Sequence, residues 1–281
     1  MKTTMYLGSM DHTPSEQLGD PQLWHTTVLV LSEGGEHWEL ASDIARQMMC
    51  KNDTLKKWSG RLSRRYKQDF ERALKERIAA YPVHVRAISA QGRTITTCLD
   101  HMVQELGLNG LVQQCNRNGK SYLEFGPFQQ ILFDASAEAE LNMRTVPKNF
   151  LLAERQGIPL VFMAHFLFRM HRHVLALIQD DHPELDWIDW QLMPNKFPGD
   201  IGGPMAKLFH AIMSGATHAR LVMGNIRVVT LADSKDDHGS YLCDNLAGLL
   251  SQRLESNEIG LIEPQQFSLG ASFYWEVWGQ Q

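Results

Sequence analysis

Cysteine is scarce in this chain. Four residues among 281 (Cys50, Cys98, Cys115 and Cys243) stand far apart, with no two-residue spacing, which excludes a zinc knuckle or a Cys-x-x-Cys redox pair. They read as reduced thiols, mostly filling a core. Long apolar runs are missing too. The longest, Ile158 to Phe168, is interrupted by His165 and falls well short of the roughly twenty residues that cross a bilayer. The amino terminus lacks the order of a secretory signal, so a cytoplasmic protein with no membrane partner is expected. Basic excess is absent: 27 Lys and Arg face 32 Asp and Glu, a formal charge of -5, unlike a uniformly basic nucleic-acid-binding body. The segment GDIGGPMAK is glycine-rich but lacks the Gly-Lys-Ser/Thr ending of a phosphate loop, and neither a dinucleotide fingerprint nor a Ser-His-Asp elbow occurs. No internal repeat or low-complexity tract is present.

What remains is an ordinary globular composition, 43% hydrophobic and 21% charged, in a length between one large domain and two small ones at roughly 150 residues each. Strands are expected at Thr3 to Gly8 and Thr26 to Leu31, the second broken by Gly34-Gly35. Helical spacing from Trp38 to Met49 and from about Thr54 to Ala80 predicts two helices, ended by Pro82 and followed by a strand from Val83 to Ile88. A helical pattern around 95–106 and a hairpin from Tyr122 to Phe133 follow. Then come a buried helix from Phe150 to Ile178, a Gly/Pro loop from Pro194 to Pro204 and a helix from Met205 to Met213. A strand from Ile226 to Ala232, a helix from Ser240 to about Leu254 and a strand from Ser272 to Trp278 close the chain. His165, His171 and His173 lie on the buried helix, where residues two apart face different ways, so packing or surface roles are expected of them.

Charge is segregated along the sequence. Residues 51–77 carry ten Lys or Arg against four acids, so the segment is +6 and the remainder -11. Leu55, Trp58, Leu62, Tyr66, Phe70 and Leu74 form a stripe at helical spacing, which leaves the cations on the wet face. Lys56, Lys57, Arg61, Arg64 and Arg65 are the candidate contacts for a phosphate backbone. The competing reading is a solvated helix or one that docks on an acidic protein.

Two acids stand out in the last third. Asp233 ends the strand of IRVVTLADSKDD, and Asp244 follows in the first turn of the next helix. Two convergent carboxylates suit Mg²⁺ or Mn²⁺, which take hard oxygen ligands and leave other positions to water and phosphate. A turn-opening role for Asp233 and a dipole-favoured surface role for Asp244 are the plainer alternatives.

The run ADSKDDHGSYLCDNLAGLL resembles the closing signature of a bacterial ribonuclease-H-like domain-of-unknown-function family, whose members end in Asp-Ser-Lys on a strand and Ala-Asp-Leu-Leu-Ala-Gly on a helix. Asp233, Ser234 and Lys235 match the first part. Cys243 to Gly248 match the second with two changes, and Leu55-Lys56-Lys57-Trp58-Ser59 is similar to the family's Lys-Trp element. The resemblance implies an α/β fold, a ribonuclease-H-like mixed sheet flanked by helices. Residues 1–281 would form one such domain, with 91–148 as a helix-hairpin insertion. It implies a magnesium- or manganese-dependent nuclease acting on DNA or RNA, with Asp189, Asp233 and Asp244 as catalytic ligands.

The departures bear on activity. Where the family opens with Ile-Asp-Glu-Ser-Gly, Tyr6-Leu7-Gly8-Ser9-Met10 places Gly8 at the ligand position. Asp11 could replace it only if the strand bulges, and Glu33 is the other substitute. Asp189, in LDWIDWQLM, is the first choice for the middle acid and Asp134 the second, although Pro183-Glu184 could instead start a helix there. The alternative from another class is a catalytically degenerate scaffold subunit in a bacterial defence or mobile-element complex, assembled as a homo-oligomer or with other proteins. Gly8 and the aromatic ending from Phe273 to Trp278 favour that reading.

Overall fold

The computed structural model describes residues 2–13, 24–52, 54–59, 61–91, 185–194, 224–228, 237–255, 269–270 and 273–278. Among them are six strands: β1 (Lys2–Thr13), β2 (Trp24–Ser32), β3 (His84–Gln91), β4 (Leu185–Pro194), β5 (Gly224–Val228) and β6 (Phe273–Trp278). Three helices accompany them: α1 (Glu36–Asn52), α2 (Arg64–Arg77) and α3 (His238–Glu255). The strands make one mixed sheet in the order β5-β4-β1-β2-β3-β6. β2 is antiparallel to both β1 and β3, whereas β4 runs parallel to β1, β5 to β4 and β6 to β3. The architecture is α/β, a mixed sheet with helices packed on it.

β2 is buried along its whole length, and its apolar run from Val28 to Leu31 is what a strand covered on both faces requires. Trp24, Val28 and Val30 join one core with Leu40, Ile44 and Met48 of α1, Phe70 and Leu74 of α2, and Leu242, Leu246 and Leu250 of α3. Each such side chain contributes roughly 1.5–3 kcal/mol by leaving water. Leu29 and Leu31, which alternate with them, are equally buried. α3 lies across β1 and β2, and a chain of buried hydroxyls fastens it there. Ser251 donates to Thr26 Oγ1 at 2.8 Å, Thr26 and Ser89 hydroxyls lie 2.7 Å apart, and Trp275 Nε1 donates to Ser89 at 2.9 Å.

The turn after β2 is built on Ser32. Its Oγ accepts from the amides of Gly35 and His37, both at 3.1 Å, and lies 3.0 Å from His37 Nδ1. Gly35 adopts φ 92°, which a side chain would disfavour; this is the break that Gly34-Gly35 predicts.

Several expectations change. β1 runs five residues past Gly8, because Asp11, His12 and Thr13 pair with Val28, Thr27 and Thr26 despite their polarity. The expected helix from Thr54 to Ala80 is divided. Residues 54–59 are not helical, and α2 begins only after Ser63, whose hydroxyl caps it by accepting from the Tyr66 amide at 3.2 Å. Leu55, Trp58 and Leu62 still pack on the core, so their spacing matched a helix without one. Residues 185–194 are a strand, which decides against a helix started at Pro183. Cys50 is exposed and Cys243 buried, so of these two described cysteines the latter fills core. Trp275 is buried and Tyr274 exposed on β6. The expected elements between 95 and 178, the helix over 205–213, the insertion beyond Gln91 and Asp134 lie outside the described residues.

Candidate functional site

α3 carries Cys243 to Gly248, and the segment Leu55 to Ser59 lies directly against it. The helix starts where Asp237 accepts from the Ser240 amide at 2.6 Å. One turn further, Asp244 Oδ2 accepts from the Trp58 amide at 2.8 Å. Asn245 Nδ2 donates to the carbonyls of Lys56 and Tyr241 at 3.2 and 3.0 Å. Tyr241 and Tyr66 join hydroxyls at 2.8 Å, and the Tyr66 hydroxyl also donates to the Lys56 carbonyl at 3.2 Å. Burial pushes both phenols' pKa values up, so they stay neutral. Gly248 completes the seat: a Cβ there would fall on the Trp58 ring and 2.6 Å from its Cβ. Phe70 meets that ring edge-on at 6.1 Å.

The two short motifs are therefore one structural clasp, holding a non-helical segment on α3 through a carboxylate, an amide and the space of a missing side chain. Asp244 has a defined job in it. Asp244→Ala should lower stability by roughly 1.5–3 kcal/mol, the range for a hydrogen bond to a charged group. Asp244→Asn, which keeps an acceptor, should lose clearly less. Urea unfolding of the two variants beside the wild type checks this; equal stability of all three would deny the clasp.

Asp11 stands on β1 opposite Val28, and only 7% of its surface is exposed. It faces α3: the wholly buried Cys243 thiol is pushed well up in pKa, first by burial and next by the charge of Asp11. No shift of register interrupts Gly8 to Thr13, so the bulge required for Asp11 to take the place of Gly8 is absent and the two residues point to opposite faces. Gly8 itself is enclosed; a Cβ there would lie 3.1 Å from Leu29 Cδ1 and 3.2 Å from the Val30 carbonyl.

Register separates the acids of the expected site. Asp189 pairs with Met5 and with Asn225. Met5 precedes Asp11 by six residues, roughly 20 Å along a strand, so Asp11 and Asp189 do not share an ion. Glu33, exposed after Ser32, is nearer the level of Asp189, because Ser32 pairs with Leu7 and Leu7 with Gln191. Asp233 lies outside the described residues. Among the described residues no group of three His, Cys, Asp or Glu side chains is placed to hold a metal ion. Among the residues whose burial is described, Asp11 is the one buried acid on a strand.

The cations are less concentrated than the sequence suggests. Lys56, Lys57 and Arg61 lie on the segment before α2, and only Arg64 and Arg65 on the helix. Asp69 gathers Lys51, Arg65 and Arg72, and Glu71 takes Lys75 and Arg253. Their carboxylates are largely covered while most of the cations are exposed, so each pair stabilises modestly, but they offset much of the charge. Lys56, Arg61 and Arg64 are exposed, and no carboxylate among the described residues pairs with their side chains.

Lys67 was missed by sequence reasoning. Its ammonium donates to Gln252 at 2.6 Å and lies 5.2 Å from the Trp58 ring centroid, which places a cation over an aromatic face. Its spacing from Trp58 gave no sign of this, because the intervening turn brings them together. No helix of the described residues is long and apolar enough to cross a membrane. No protein-family model and no curated protein matches the chain.

Proposed function

We propose that this is a ribonuclease-H-like protein acting on nucleic acid, and that its reaction is metal-dependent phosphodiester hydrolysis. The mixed α/β sheet is compatible with that architecture. The observation that carries the reading is Asp11, a buried carboxylate near the carboxyl end of a central strand. Asp11 does not stand in for Gly8, which it follows by three residues on the opposite face; the proposed ligand is Asp11 at its own position, and Gly8 is a packing residue. Asp233, five residues after Val228 in the sequence, is its proposed partner. Together they would hold Mg²⁺ or Mn²⁺, which supplies an activated water to such a reaction. Asp11 and Asp233 would hold the ion by their oxygens, and Lys56, Lys57, Arg61, Arg64 and Arg65 would hold the phosphate backbone.

The test is incubation of the full chain with labelled single- and double-stranded DNA and RNA in Mg²⁺ or Mn²⁺. Cleavage is expected, abolished by Asp11→Asn and by Asp233→Asn and retained in Glu33→Gln. Loss of cleavage in Glu33→Gln or Asp189→Asn, with Asp11→Asn active, would move the site to the level of Asp189. One observation favours the second reading, a non-catalytic scaffold: Asp244 is engaged in the clasp with Trp58. Failure to cut all four substrates would establish that alternative over hydrolysis.

A further inference from the structure

A cleft of about 550 Å³ lies between α2 and α3, with Trp58 and Leu249 among its apolar lining. Arg64, Lys67 and Arg253 bring three cations to it, and Gln68 and Gln252 bring two amides. Its one acidic lining residue, Glu71, accepts from Arg253 with both oxygens at 2.7 and 2.8 Å and from Lys75 at 2.7 Å. Glu255, whose carboxyl is pushed up by burial, is within reach of Lys67. The balance is positive, and Arg64 brings its whole fork of donors without a carboxylate partner among the described residues.

We propose that this cleft binds one nucleotide of a single-stranded nucleic acid. The backbone phosphate lies between Arg64 and Lys67 and draws the Lys67 ammonium off the Trp58 ring that it covers, and the base takes its place against the apolar wall formed by Trp58 and Leu249. The proposal rests on the nucleic-acid reading above and adds the strand type and the subsite. A cationic groove beside an aromatic platform is the combination that tracks single strands. The volume falls in the range that encloses a small ligand, and a concave site between two helices takes an unstacked base, not the side of a duplex. An acidic peptide would satisfy the cations but leave the Trp58 wall without a flat partner.

Binding is measured without cleavage, by fluorescence anisotropy of a labelled twelve-residue oligothymidine in EDTA at several salt concentrations. Arg64→Gln/Lys67→Gln should bind at least tenfold more weakly. It should also flatten the dependence of log affinity on log salt by about 0.7, one phosphate contact's worth for a single strand. Arg46→Gln/Arg77→Gln removes the same charge from a surface that pairs with Asp43 and should stay within twofold of the wild type. Arg64→Gln alone, at an exposed position, should show about half the salt effect and covers a double variant that fails to fold. Equal binding by the cleft variants and the wild type overturns the proposal. So does an equal loss in the control pair, tighter binding of a duplex, or tighter binding of a poly-glutamate peptide of the same charge. A protein that binds but never cuts refutes hydrolysis and leaves the cleft standing.

Discussion

Gly248→Ala should destabilise the protein by up to about 2 kcal/mol, although alanine is the better helix former. Within a helix the substitution gains about 1 kcal/mol from propensity. Here the added methyl would fall on the Trp58 ring, and forcing extra atoms into packed space costs about 1–3 kcal/mol, occasionally more. The ring is held on its other sides by Phe70 and by the bond from its own amide to Asp244, so it has no easy retreat. Overpacking wins. Chemical denaturation of four proteins checks this: wild type, each single variant and Gly248→Ala/Trp58→Ala. With Trp58 truncated, Gly248→Ala should become neutral or stabilising by up to about 1 kcal/mol. A destabilisation that persists unchanged in that background would remove the clasp as its cause.

The second expected result is a loss of stability in mild acid. His25 and His37 are buried, and desolvation lowers their pKa values from 6.5 to about 4, only partly opposed at His37 by Glu36. At His37 geometry reinforces this. Ser32 Oγ already accepts two amide protons, so it donates its own to Nδ1, and a proton on Nδ1 would break that bond. Both rings are neutral when folded. Below about pH 6.5 the unfolded chain takes up protons that the folded chain refuses, so stability is full above that value and falls as pH drops toward 4. By about pH 4.5 each histidine should account for roughly 2.5 kcal/mol, and the pair for about twice that. Urea unfolding at pH 7, 5.5 and 4.5 measures the decline. His37→Gln should remove about half of it, and a flat profile in the wild type would contradict the burial of both rings.

Much of the sheet was legible in the sequence, for physical reasons that differ by element. β2 and β3 announce themselves by apolar and alternating runs, and the turn at Gly35 by the need for positive φ. β1 reads short because Asp11, His12 and Thr13 are polar, yet pairing with β2 satisfies their backbone whatever their side chains are. The Leu55–Leu74 stripe misled for the opposite reason. Its first part meets the core from a non-helical segment, and Ser63 restarts the backbone as a helix. The site was less legible. Convergent acids suggested an ion at Asp244, whereas this carboxylate accepts from a distant amide. The available signal was Gly248, since glycine inside a leucine-rich helix is unfavourable unless something approaches closely. What pairing register does to Asp11 and Asp189 was invisible, because it depends on how far β4 slides along β1.

The buried hydroxyl chain also governs when this molecule can become native. Thr26 and Ser89 are 63 residues apart, but their remaining partners, Ser251 and Trp275, lie 225 and 186 residues from the positions they bond. A chain emerging from the ribosome would expose β2 and β3 long before α3 and β6 exist to cover their hydroxyls and apolar rows. Such sequence-distant closure slows folding, and the waiting strands present edges that invite association. Synthesis of this protein should therefore depend on holding β1 to β3 apart from neighbours until α3 and β6 arrive.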